Sequence, residues 1–208
     1  MPEFIEFDNS DPSQIVCVFG SGDMKGNYLC QRRVEVALDI PLDKKILIFF
    51  GRHQPSMLTP QTEAQAMQQY AHRHYLQSLS PAPGLVSILR HAILEDDDTI
   101  ASTSDTCYVI ARQYLTLGDH VHLVTNWLYL PRAYYLLRKQ ALHAGIDWRK
   151  ARKQVHLVWC GGVFWPYFYH QGLRALPRLV TAPGREVGAW LKALADPYSK
   201  KYNQKRTF

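Results

Sequence analysis

The residues of this chain best suited to chemistry stand directly after apolar runs. Arg52-His53 follows Lys45-Ile-Leu-Ile-Phe-Phe50 and Gly51. An arginine offers a planar fork to carboxylate or phosphate, and a histidine moves protons near neutral pH. Gly20-Ser21-Gly22-Asp23 follows Ile15-Val-Cys-Val-Phe19. Its backbone donors suit a phosphate or carboxylate, and a tight structural turn accounts for the glycines equally well. The dinucleotide fingerprint is incomplete, because its third glycine would fall on Lys25. Glu95 closes Ala92-Ile-Leu94 and opens the acidic stretch Glu95-Asp96-Asp97-Asp98, where it is placed to orient a hydroxyl or serve as a base. Thr125-Asn126 closes His120-Val-His-Leu-Val-Thr125, and Arg132 follows just inside the next helix. A cation there opposes the helix macrodipole. A bound anion would remove the conflict; an ion pair to the acidic cluster Glu95–Asp98 is the alternative.

No metal is predicted. Four adjacent acids cannot all face one ion. The nine histidines form no zinc pattern: His72 and His74 point apart on a helix, and His120 and His122 share a strand face without a partner set. Cys160, before Gly161-Gly162, reads better as a buried strand cysteine than as a nucleophile.

These groups need elements to position them. The runs at Ile15, Lys45, Ala92, His120 and Gln154 are apolar on both faces, as strands covered by helices on each side require. Helical periodicity lies between them. Tyr28–Leu38 turns Leu29, Val34 and Leu38 inward. A second helix opens at Thr59-Pro60 and runs towards Leu79. Ser102–Leu117 stops at Gly118, and Pro131–Ala144 stops before Gly145. A final helix, Arg185–Ala195, carries Val187, Trp190, Leu191 and Leu194 on its packing face. The aromatic, proline-rich stretch Val163–Pro183 is read as a loop or short helix covering the pocket. The pattern predicts an α/β fold: a Rossmann-like, mostly parallel sheet of about five strands, with helices on both faces in three layers. Ligands of such sheets bind outside the carboxyl ends of the strands. Gly20, Ser21, Gly22, Gly51, Arg52, His53, Glu95, Thr125 and Asn126 would then share one rim.

Composition narrows the classes. The 208 residues are 47% hydrophobic and 20% charged, enough for one domain with a large core and a C-terminal extension from 161 to 208. No apolar run approaches the roughly 20 residues of a membrane span. The polar, acidic start is unlike a signal peptide, and four dispersed cysteines suit a reducing compartment, so a cytoplasmic location is expected. The net charge of +6 gathers partly in Arg149–Lys153 and Lys200–Arg206. Without a nucleic-acid signature these read as a solvated helix end and a tail, and no nucleic-acid partner is expected.

Four segments also share an order with a known family. They are Val16-Cys-Val-Phe-Gly20 with Arg32, Phe50-Gly51 with Thr62-Glu63-Ala64, Glu95 with Ser102-Thr103-Ser104-Asp105-Thr106, and Val124-Thr125-Asn126-Trp-Leu-Tyr129-Leu-Pro131-Arg132-Ala133. Over about residues 14 to 160 the chain resembles the YdcF-like family of bacterial domains, which includes SanA and ElyC. It departs where Ser102, Asp105 and Thr106 replace Asn, Glu and Asn, and where Tyr129 replaces a usual His. The resemblance implies a Rossmann-like sheet and a site of Arg32, Glu63, Glu95, Thr103, Asp105, Asn126 and Arg132. It also implies S-adenosylmethionine as a candidate cofactor. The combined expectation is an enzyme acting on a nucleotide-like or phosphorylated molecule by transfer or hydrolysis, with Glu95, Asp105 and His53 as catalytic groups. The alternative is a non-catalytic binding or regulatory protein with an envelope-related role.

Overall fold

Each apolar run forms a parallel strand. In the computed structural model the described residues are 14–20, 28–42, 45–51, 61–76, 93–95, 102–160 and 175–198. The strands are β1 (Gln14–Phe19), β2 (Lys45–Phe50), β3 (Ile93–Glu95), β4 (His120–Asn126) and β5 (Val155–Cys160). They pair in the order β3-β2-β1-β4-β5, all in parallel. The chain therefore builds outward from β1 on one side, then crosses back to start β4 on the other. The change of direction falls between β1 and β4.

Strand alternation sorts the core into two layers. Val16, Val18, Leu47, Phe49 and Val124 pack on α1 (Tyr28–Asp39) and α2 (Glu63–Leu76). Ile15, Cys17, Phe19, Ile48, Phe50, Val121 and Leu123 face the opposite way. They pack on α3 (Thr103–Val109) and its continuation, on α4 (Leu130–His143), and on α6 (Ala175–Ala195). The short α5 (Trp148–Ala151) leads into β5. The expected three layers are present. Leu47, Ile48 and Phe49 are fully buried, and each such side chain contributes roughly 1.5–3 kcal/mol.

Local chemistry sets the helix ends. Ser102 caps α3 by accepting from the Asp105 amide. The helix continues through a π turn, Ile110–Tyr114, and a 3-10 turn, Leu115–Leu117. Gly118 and Gly145 then take positive φ of 86° and 78°, ending two helices where the sequence predicts. Lys45 closes α1 from outside: its Nζ donates to the carbonyls of Ala37 (3.1 Å), Leu38 (2.5 Å) and Ile40 (2.8 Å). Burial lowers the pKa of this ammonium, with Asp39 opposing the shift.

Three expectations need correction. The second helix opens at Glu63 rather than Thr59, because Thr62 and Gln65 form a reciprocal box. Each donates its amide to the other's side-chain oxygen at 3.2 Å. The last helix begins at Ala175, ten residues earlier than expected, and carries Pro183 inside it. Its inward face is also rotated from the expected one: Val187, Leu191 and Leu194 are 56–64% exposed, whereas Glu186 and Ala193 are buried and, of the expected four, Trp190 alone packs inward, its ring 5.5 Å from that of Tyr135. Periodicity locates a stripe without saying which side it covers, and here the half-buried Arg132 draws Glu186 inward. Finally, β5 is an edge strand, so Leu157 and Trp159 stay exposed despite the apolar run that holds them. Among the described residues, no helix is long and apolar enough to cross a membrane.

Candidate functional site

At the point where the strand order reverses, the carboxyl ends of β1 and β4 separate above the sheet. This is where open parallel sheets leave a crevice. A cavity of about 220 Å³ occupies it. Its floor is Phe19, Gly20 and Thr125, and its walls are Arg33 from α1, Thr103 from α3, and Tyr129, Arg132 and Ala133 around the start of α4.

Arg33 is the most unusual of these residues, being only 2% exposed. Its Nε donates to Asn126 Oδ1 at 3.1 Å, and its Nη1 donates to the carbonyls of Phe19 (2.6 Å) and Gly20 (2.9 Å). It thereby ties α1 to the ends of both central strands. Its acceptors are all neutral, and among the described residues it makes no ion pair. Nη2 takes part in none of these bonds, and the residue lines the cavity. An arginine stays protonated, so this site holds a buried positive charge with no countercharge in contact.

Tyr129 has two cations near its ring. The guanidinium carbons of Arg33 and Arg132 each lie 5.8 Å from its ring centroid, within cation–π range. A turn fixes the tyrosine, whose amide donates to the Asn126 carbonyl at 2.9 Å. Arg132 is differently placed from Arg33. Its Nε and Nη2 donate to the two oxygens of Glu186 at 2.6 and 3.4 Å, and its Nη1 to Thr103 Oγ1 at 3.3 Å. The conflict with the macrodipole of α4 is thus resolved by a carboxylate from α6, not by a free anion. Thr103 and Arg132 also border a second cavity of about 210 Å³, walled by α3, α4 and α6.

Glu63 occupies the β2 side of the crevice. It is buried at the first position of α2, against two bare strand ends. A Cβ added to Gly20 would stand 2.4 Å from Glu63 Oε2 and 2.8 Å from the Phe50 carbonyl; one added to Gly51 would stand 2.4 Å from Glu63 Cβ. The Gly20 amide donates to that same Phe50 carbonyl at 2.8 Å. Glycine at 20 and 51 is therefore a requirement of close approach.

The expected site is only partly assembled. Gly20, Thr103, Thr125 and Arg132 line the cavity; Asn126 supports it through Arg33; Gly51 and Glu63 adjoin it. Arg32 pairs with Glu35 at 2.9 Å with its side chain 37% exposed, and it is not among the cavity's lining residues. Asp105 accepts from the Ser102 hydroxyl at 2.9 Å as part of the α3 cap and is not among the cavity's lining residues. Glu95 ends β3 opposite Phe50, as expected. Its side chain, together with Ser21, Gly22, Arg52 and His53, lies outside the described residues.

Arg33, Tyr129 and Glu186 were missed. Helix phase would have separated Arg33 from Arg32: Cys30, Val34 and Ala37 are buried, and Arg33 shares their face. All four cysteines are unbridged and buried. Cys107 and Cys160 are both fully buried; burial raises both pKa values, that of Cys160 to about 11 with Arg33 and Arg32 opposing. Among the described residues, no group of three or more His, Cys, Asp or Glu is disposed to hold a metal ion. No family model, no curated protein and no solved structure matches the chain.

Proposed function

We propose that this protein binds a small anionic molecule, through the phosphate or carboxylate of a nucleotide-like or phosphorylated compound, in the crevice between the carboxyl ends of β1 and β4. The reading rests above all on Arg33. A guanidinium held by neutral acceptors at the wall of a cavity is a charge awaiting its partner, and an anion there gains charge-assisted hydrogen bonds screened less than at the open surface. Thr103, Thr125 and Tyr129 supply hydroxyl donors around the same space. The cavity is below the roughly 300 Å³ at which sites for whole drug-sized ligands begin, so these walls suit a head group. S-adenosylmethionine belongs among the candidates through its carboxylate, which a guanidinium can fork.

The test is a thermal-shift and calorimetric panel of inorganic phosphate, nucleotides, sugar phosphates and S-adenosylmethionine. A true ligand at about 100 times its Kd adds about 2.7 kcal/mol of stability. Arg33→Met should abolish that gain. If nothing in the panel shifts the melting temperature, or if the variant binds as well as the parent, the assignment fails.

Turnover by transfer or hydrolysis is a second reading, favoured by the Glu63 carboxylate packed against cavity-lining Gly20. The described walls themselves hold no carboxylate, imidazole or thiol, so binding ranks ahead of catalysis. Mass spectrometry of a bound ligand after incubation with parent and Glu63→Gln protein separates the two.

A further inference from the structure

The opposite end of β4 carries a second cluster, which the crevice does not use. His120 and His122 lie on one face of β4, and parallel pairing brings His156 of β5 directly opposite His122. His120 Nδ1 and His156 Nε2 are 3.1 Å apart, with ring centroids 5.4 Å apart and planes inclined by 19°. That combination sets the two rings edge to edge, nitrogen facing nitrogen. His122 stacks on His156 at 4.6 Å between centroids, and its Nε2 donates to Gln14 Oε1 at 2.9 Å. The rings of His122 and His156 are thus held in place, and His156 stands exposed on the edge strand β5.

We propose that His120 and His156 chelate a divalent late transition cation, of the Zn²⁺, Ni²⁺ or Cu²⁺ class, at this exposed edge of the sheet. Imidazole suits these ions, with metal–nitrogen bonds of about 2.0–2.1 Å. Two such bonds at a tetrahedral angle put the nitrogens roughly 3.4 Å apart. The observed gap is a few tenths of an ångström shorter, which small side-chain rotations at a surface accommodate. In the metal-free pair one ring donates its N–H to the other. To bind, that ring moves its proton to its second nitrogen, so both facing lone pairs meet the cation and no net proton is released. Water fills the remaining coordination positions. His122 is a positioning residue, holding the His156 ring by stacking. Burial and the neighbouring rings lower the pKa values of His122 and His156, which favours the neutral state that metal binding requires.

The experiment uses the full chain stripped with EDTA and titrated with Zn²⁺ by calorimetry, with Cu²⁺ electron paramagnetic resonance as a second readout. The expected result is one saturable equivalent and a Cu²⁺ spectrum with two coupled imidazole nitrogens. His120→Ala and His156→Ala should each weaken binding roughly tenfold or more, as loss of a ligand must exceed the 10–100-fold seen for outer-shell partners. His72→Ala, on the remote α2, controls for the other histidines and should bind as the parent does. No uptake by the parent overturns the site. So does a loss confined to one of the two variants, or unchanged binding in both.

Discussion

The two ends of β4 carry nitrogen bases under opposite rules. At the carboxyl end Arg33 and Arg132 meet around Tyr129; at the amino end His120, His122 and His156 meet around a shared face. An arginine cannot shed its proton, so every buried guanidinium must find acceptors or an anion. Arg132 found Glu186, and Arg33 found two carbonyls and an amide oxygen. A histidine escapes the same difficulty by becoming neutral. Burial, then the rings of His156 and His120, hold His122 down at about 4. One end of the strand therefore keeps its charge, and at the other burial disfavours charge on His122 and His156.

The sharpest way to break this contrast is Arg33→Met. It strips donors from the Phe19 and Gly20 carbonyls and from Asn126, and each hydrogen bond to a charged group is worth about 1.5–3 kcal/mol. A loss of at least about 3 kcal/mol is expected in urea denaturation, and a loss under about 1 kcal/mol would show that the charge is a net burden. Glu186→Ala comes next. Leaving Arg132 largely buried and unpaired should cost about 3 kcal/mol, the low end for breaking a buried pair. The variant should also bind inorganic phosphate more tightly than the parent, because a carboxylate no longer competes for Arg132.

Acidification probes the other end. His122 has a folded-state pKa of about 4, below its ordinary 6.5. As pH falls through 6.5, the unfolded chain takes up a proton that the folded chain refuses. Stability is thus lost between about pH 6.5 and 4 and changes no further below that range. Discounted for partial exposure, the loss from pH 7 to 5 should be about 1 kcal/mol, and His122→Gln should remove it from melting curves taken at both values. The smallest effect is expected from His156→Ala, an exposed edge substitution worth within about 0.5 kcal/mol at neutral pH.

Much of the fold was legible because its signals are local. Apolar runs ending in glycine or polar residues marked the strands, and Gly118 and Gly145 marked two helix ends. The Thr62–Gln65 box was equally local but stood behind a more conspicuous Thr59-Pro60. The site was less legible because its bonds span the chain: Arg33 to Asn126 joins residues 93 apart, and Arg132 to Glu186 joins residues 54 apart. The two neighbouring arginines differ only by 100° of helical rotation, and residue type does not show which one turns inward. Side selection failed for α6 on similar grounds, since one buried carboxylate left three of the four apolar side chains of its stripe facing outward.

The bare strand ends at Gly20 and Gly51 have a consequence for how this sequence can vary. Because Glu63 rests against both without an intervening atom, Gly51 cannot enlarge unless residue 63 shrinks or the whole of α2 backs away, and at Gly20 the Phe50 carbonyl must give way as well. Drift at this corner must come as compensated pairs, and a library randomising one position alone should return glycine.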